Sequence, residues 1–529
     1  MAKRIRRAGA AVIASAALVL AGCSGGNGDN ADGAGDIGDT LVIDTSFIIE
    51  TGDPGRTYDQ TGYMVVKAVY DSLLTFEPGD ETTPVPNLAT YEQNEDATEF
   101  TFTLDGERTF SDGSVIDADD VVFSLERVAG MVEVSRAGFL MDGITVEKVD
   151  DLTVRLSTEN PALQLPALMA NPSLAIVNSE EVAANGGTTD GEDDAQSFLD
   201  NNSAGSGPYV LDSLDLTSQV VLTRNENYNG PAQPEFERVV IRNVSESATQ
   251  LINLQGGDSH VAVDLSGDQV AELGEEHTVN SAASSQTIFL LINQNEEVGD
   301  VTANPEFAEA VRYALDYDAL LELAGAGAQQ ATGVIPPNYL GALTDGVEQD
   351  LERSEAALAA SGYDGETVTL QYPNDFPVGG VAFTPLAERI QDQLAAAGIT
   401  VELAPAPFAT EIEAYAGGQE AFGLWFWGPD YADSANFLPF GPGRTVGLRA
   451  GWTEDMAPEV ANLAEAALLE TDPDSREQRF TDFATAMQDS GPFVPLIVPG
   501  SNIATAAGIT GVAYNSTWTI DIAEISSAD

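Results

Sequence analysis

Residues 368–427, VTLQYPNDFPVGGVAFTPLAERIQDQLAAAGITVELAPAPFATEIEAYAGGQEAFGLWFW, decide the fold class. Val368–Tyr372 reads as a strand, Pro385–Ala397 as a helix stopped by Gly398, Thr400–Leu403 as a strand, Ala409–Ala416 as a helix and Phe422–Trp427 as a third strand. Strands that alternate with helices in this way build a parallel or mixed α/β sheet. Open sheets of that kind bind ligands just beyond the carboxyl ends of their strands. Here those positions are Gly428, Pro429, Asp430 and Tyr431. Trp425 and Trp427 lie two apart on the last strand, so they share a face and Phe426 takes the opposite one. The tryptophans either line a pocket or fill the core.

Upstream of this stretch, Asn304 is placed to cap a helix with Pro305 in its first turn, and Phe307, Val311, Ala314 and Leu315 supply the buried stripe. A further helix fits Leu351–Ala360, ended by Gly362. The first half of the chain has more strands and turns. Thr98–Leu104 alternates, with Phe100, Phe102 and Leu104 on one face. A Ser111-Asp112-Gly113 turn follows, then Ala118–Ala129 takes helical spacing behind Asp117, Asp119 and Asp120, which favour the positive end of its dipole. Strands are expected at Leu152–Ser157, Tyr209–Leu211 and Val220–Arg224, and the polar segment Gly186–Gly207 is expected as a surface loop.

The N-terminus sets the address. Lys3, Arg4, Arg6 and Arg7 precede an apolar run, Ala8–Leu20, that is shorter than the ~20 residues a spanning helix needs. Small residues then lead to Cys23, the chain's only cysteine. This pattern predicts a secretory signal over residues 1–22. A cysteine directly after the cut resembles the bacterial lipoprotein signal, which implies a lipid on Cys23 and a protein held at the extracytoplasmic face of the cell membrane. Residues 23–40, rich in Gly, Asp, Asn and Ser, are expected to form a tether.

The 529 residues carry 85 Asp and Glu against 21 Lys and Arg, a formal net charge of −64. Such a chain is repelled by nucleic acid, which is excluded as a partner. With two histidines and a single cysteine, a metal site is not expected. No nucleophile elbow, phosphate loop or zinc signature is present, so the chain is read as a non-enzyme with no cofactor.

Seven segments in order resemble family 5 of the extracellular solute-binding proteins, the dipeptide and oligopeptide receptors of ABC importers. They are VYDSLLTFE (69–77), FSDGSVIDADDVVFSLER (110–127), GSGPYVL (205–211), RNENY (224–228), VRYALDYDAL (311–320), WFWGPDYADSANFL (425–438) and VPLIVPG (494–500). The resemblance implies an α/β, two-lobed fold of the periplasmic-binding-protein type (class C, type II), with an extra domain in the first lobe. Lobe I is expected at 41–71, 204–283 and 493–529, the extra domain at 72–203 and lobe II at 284–492. It implies a monomer that takes a short peptide and passes it to permease subunits. Oligosaccharide binding in the same importer family is the alternative.

In peptide-binding members of that family, an Asp in the segment matching WGPD pairs with the ligand's α-ammonium, which points to Asp430. The chemistry agrees, because a cleft that closes on a zwitterion must neutralise a buried ammonium, and a carboxylate does so with a charge-assisted hydrogen bond. Trp427, Trp425, Tyr431, Asn436 and Phe437 complete the expected ligand-binding set. Tyr58 and Tyr63, after the first strand, belong either to the facing wall of the cleft or to plain surface. Arg389, Arg444 and Arg449 are candidates for a ligand carboxylate, and the sequence does not choose among them.

Overall fold

The computed structural model describes residues 38–528. The signal over 1–22, Cys23 and most of the 23–40 tether lie outside the described residues. The stretch that decides the fold class forms strand Val368–Pro373, helix Phe383–Ala396, strand Val401–Ala406, helix Phe408–Ala416 and strand Phe422–Trp427. The first of these helices begins ahead of Pro385, since proline is tolerated anywhere in the first turn, where no backbone N–H is needed.

Val368 registers with Val401 and Leu370 with Phe422, both in parallel. Thr287–Ile292, buried along its whole length, then pairs antiparallel with Phe422–Trp427 on one side and with Phe493–Val498 on the other. The result is a six-stranded mixed sheet, completed at one edge by Gln329–Gln330. Its helices start and stop where local chemistry dictates. Asn304 Oδ1 accepts the Glu306 N–H at 3.0 Å, and Gly362 ends the helix Leu351–Ser361 at φ +83°, a backbone conformation that glycine adopts without penalty.

A seven-stranded sheet forms the core of the other lobe. Thr40–Thr45 runs parallel to Arg238–Asn243 and to Val261–Ala262, burying Leu41 and Ile43. The extra domain is a four-stranded antiparallel sheet. Phe100, Phe102 and Leu104 form its buried face, which packs with Val121 and Leu125 of helix Ala118–Gly130. That helix is fixed by a capping box in which Asp117 accepts from the first-turn N–H groups and Asp120 reaches back.

Among the described residues the chain passes between the lobes twice. One passage runs through Ser284–Gln286, and the other is Pro499, between strands Phe493–Val498 and Gly500–Thr505. The two touch, with Ser284 N–H donating to the Pro499 carbonyl at 2.8 Å. The return to the first lobe was expected at Phe493. It occurs at Pro499, because the apolar strand Phe493–Val498 is consumed by pairing with Thr287–Ile292.

A second departure concerns 186–207, expected as a surface loop: Gln196–Leu199 is helical, and the segment is anchored. Its Asp193 is clamped by Arg127, 1% exposed, at 2.7 and 2.9 Å. Arg127 also forks onto both oxygens of Asp53 at 2.9 and 2.5 Å, and Arg56 joins Asp193 at 3.0 Å. The loop, helix Ala118–Gly130 and segment 53–57 are thereby held together. Burial opposes the charge on Arg127, but the two carboxylates outweigh it and hold its guanidinium protonated. Among the described residues no helix is long and apolar enough to cross a membrane.

Candidate functional site

Strand Phe422–Trp427 ends at the boundary between the lobes, and Asp430 follows two residues past Gly428. Its carboxylate is held from both sides. The Tyr58 hydroxyl, from the opposite lobe, donates to Oδ1, and Asn436 Nδ2 donates to Oδ2 at 3.0 Å. Asn171 of the extra domain, 1% exposed, donates to the backbone carbonyl of Asp430 at 2.7 Å. The Trp427 indole N–H donates to Asn436 Oδ1 at 3.2 Å, which fixes the amide with its N–H toward Asp430. A chain of donors therefore runs from Trp427 through Asn436 to Asp430.

Tyr58 is positioned by its own neighbourhood. Asp59 next to it caps helix Gln60–Val69 by accepting the Gly62 N–H at 2.6 Å. Ser173 Oγ ties the carbonyl of Thr57 at 2.7 Å and lies 2.9 Å from the Tyr63 hydroxyl. Of the two tyrosines considered for the facing wall, Tyr58 reaches Asp430, whereas Tyr63 is buried with its hydroxyl on Ser173.

Burial pushes the Asp430 carboxyl above the usual carboxylate range, while Tyr58, Asn436 and the charges of Arg136 and Arg449 act against that shift. Asp433, three residues on, provides a contrast. It caps the following turn and is paired with Arg476 at 2.7 Å. Among the described residues no cation forms an ion pair with Asp430, so its carboxylate is held by neutral donors alone.

The remaining expected residues divide by depth. Trp427 and Tyr431 are half-buried beside Asp430, and Trp427 meets Phe440 edge-on at 5.6 Å. Asn436 is 2% exposed and touches Asp430 directly. Phe437 is fully buried against Tyr339, with ring centroids 5.1 Å apart. Trp425, 1% exposed, lies beneath the site, stacked on Tyr415 at 4.3 Å with its indole N–H on Glu420 at 2.5 Å. Phe426 takes the opposite face, stacked on Phe376 at 5.4 Å. Burial lifts the Glu420 carboxyl to about 8.

The three arginines left open by the sequence also separate. Arg444 is paired with Glu465 at 2.8 Å. Arg389 lies on helix Phe383–Ala396, outside the set around Asp430. Arg449 lies 4.7 Å over the Tyr415 ring and 6.0 Å from the Trp427 ring, and it forms no ion pair among the described residues. Asn171 and Arg136 escaped the sequence reading. Neither sits in a patterned stretch, and both reach the site by folding of the extra domain.

Among the described residues no group of three or more His, Cys, Asp or Glu is placed to hold a metal. His260 accepts the Val42 N–H at 2.9 Å, a structural bond inside the seven-stranded sheet.

Comparison with known proteins gives one consistent picture. The family described as Bacterial extracellular solute-binding proteins, family 5 Middle, matches residues 83–444. The chain is 26% identical over 488 residues to the probable D,D-dipeptide-binding periplasmic protein DdpA of Escherichia coli (strain K12), covering 90% of this chain and 92% of that protein. It is 24% identical over 488 residues to the glutathione-binding protein GsiB of Salmonella paratyphi A, covering 89% and 91%. Among solved structures it resembles the periplasmic binding protein DppA of Helicobacter pylori in complex with the peptide STSA, with TM-score 0.76, 21% identity, and coverage of 93% of this chain and 98% of that one. At this identity the structural likeness establishes the two-lobed fold.

Proposed function

Because the chain belongs to family 5 of the bacterial extracellular solute-binding proteins, we propose that it captures short peptides outside the cytoplasmic membrane and hands them to an ABC importer. One observation carries this reading. Asp430 is a largely desolvated carboxylate at a strand end between the lobes, held by neutral donors and without an ion-pair partner among the described residues. A peptide's α-ammonium supplies that cation. The charge-assisted bond it forms is worth roughly 1.5–3 kcal/mol, one part of the about −8 kcal/mol of a micromolar complex.

On this reading the ammonium displaces the Tyr58 hydroxyl from Asp430. Trp427, Tyr431, Asn436 and Phe437 shape the walls, and Trp425 supports the floor. Arg449, which forms no ion pair among the described residues and lies beside Trp427, takes the carboxylate end. The peptide backbone pairs with strand-end backbone, which gives affinity without strong side-chain demands. A ligand that touches both lobes favours the closed arrangement, because only there are all its contacts made.

The chain acts as a receptor, with no reaction of its own. Lobe I comprises 41–71, 204–283 and the segment after Pro499, lobe II runs from 284 to Val498, and 72–203 is the extra domain. A lipid on Cys23 keeps the protein at the outer face of the membrane. A neutral oligosaccharide fits less well: it stacks on Trp427 but leaves the Asp430 charge uncompensated.

Thermal melting of the mature protein against panels of free peptides and oligosaccharides tests the reading. A ligand at about 100 times its Kd stabilises by ~2.7 kcal/mol, a readily measured rise in Tm. A rise with peptides only is expected, and a rise with sugars only contradicts it.

A further inference from the structure

Among the described residues every Lys and Arg is in an ion pair except Arg136, Arg312, Arg389 and Arg449. Acids outnumber cations so strongly in this chain that a free guanidinium is the exception. Arg312 is buried and donates to the carbonyls of Gly491 and Phe493, so its role is structural. Two of the other three, Arg136 and Arg449, bear on Asp430 from opposite lobes.

Arg136 belongs to the extra domain. Its guanidinium lies 4.7 Å over the ring of Tyr58, the same ring whose hydroxyl reaches Asp430. Phe139, 39% exposed, meets that ring edge-on at 5.8 Å. The backbone here is not free to wander. Ser135 Oγ donates to the Gly55 carbonyl at 2.7 Å and accepts the Ala137 N–H at 3.1 Å, which locks this turn to the segment carrying Tyr58. The positive charge of Arg136 acts on Tyr58, Asp59 and Asp430 together. Its side chain is exposed, and no hydrogen-bond acceptor of the protein occupies it among the described residues. An arginine fork stacked on an aromatic ring, with its donors unused, is matched in geometry to a carboxylate.

We propose that Arg136 is a specificity residue that selects cargo bearing an additional carboxylate, so that the preferred peptides contain Asp or Glu. This rests on the reading of Asp430 as the ammonium site and Arg449 as the site for the terminal carboxylate, and adds a third charged point on the rim. The protein's net negative field opposes an anionic cargo, but salt at 0.1 M screens it beyond about 10 Å. A direct guanidinium–carboxylate contact acts at much shorter range and decides the outcome.

Calorimetry with matched peptides of two and three residues, differing only by Glu or Gln at one position, reads the preference directly. The wild-type protein is expected to bind the best Glu peptide at least about tenfold more tightly than its Gln counterpart, the difference between a charge-assisted and a neutral bond. In Arg136→Gln this ratio is expected to fall to near one, with Arg136→Lys in between. Equal binding of Glu and Gln peptides by the wild type, or a preference that survives in Arg136→Gln, overturns the assignment and leaves peptide capture standing. Failure of every peptide to bind the wild type overturns both.

Discussion

Tyr58 and Asp430 come from opposite lobes and meet in a hydrogen bond, the phenolic hydroxyl donating to carboxylate Oδ1. This bond links the lobes at the position proposed above for the ammonium. In Tyr58→Phe the closed form of the free protein leaves Oδ1 short of a donor, at a cost of about 1–3 kcal/mol. Small-angle scattering of the unliganded variant is expected to give a larger radius of gyration than the wild type. Saturating peptide should bring the two to the same value, and equal radii without ligand would argue against the fastening role.

Glu420 gives a pH signature of its own. Burial raises its carboxyl from 4.5 to about 8, with the Trp425 N–H acting against the shift and Glu411 adding to it. A raised folded-state pKa means that the folded protein holds the proton more tightly than the unfolded chain does. Glu420 therefore lowers stability progressively as pH rises from about 4.5 to 8, by up to a few kcal/mol in total. Glu420→Gln keeps an acceptor for Trp425 and removes the titration. Melting curves from pH 5 to 8 should show the wild type losing Tm relative to this variant, and parallel curves would contradict the buried neutral acid.

The Arg127 cluster is expected to dominate the stability of the extra domain's attachment. Arg127→Met leaves the buried pair Asp53 and Asp193 to Arg56 alone, and removing one member of such a group costs about 3–5 kcal/mol. Chemical denaturation should detect that loss. Adding Asp53→Asn to Arg127→Met should recover part of it, because Arg56 then faces a single buried carboxylate, Asp193.

Local chemistry made much of this fold legible in advance. The alternation over 368–427, the cap at Asn304 with Pro305, and the stop at Gly362 are signals written within a few residues of where they act, and each element formed close to its expected bounds. The return to lobe I was misplaced at Phe493 because an all-apolar strand does not announce which sheet it joins. Asp193 lies in the segment expected as a surface loop, and only the fold brings Arg127 to it. Trp427, Asp430 and Asn436 fall within a strand end and the nine residues beyond it, and hydrogen bonds join them. Tyr58, Asn171 and Arg136 come from distant segments, so their convergence on Asp430 is a product of tertiary packing.

Peptide capture as proposed depends on the charge at Asp430, which a double-mutant cycle by calorimetry isolates. A free-amine peptide and its N-acetylated form are titrated into the wild type and Asp430→Asn. Either change alone is expected to weaken binding by about 2–5 kcal/mol, and both together should cost little more than one, because each removes the same bond. Unchanged affinity of Asp430→Asn for the free-amine peptide, or equal affinity of the wild type for both peptides, would contradict it.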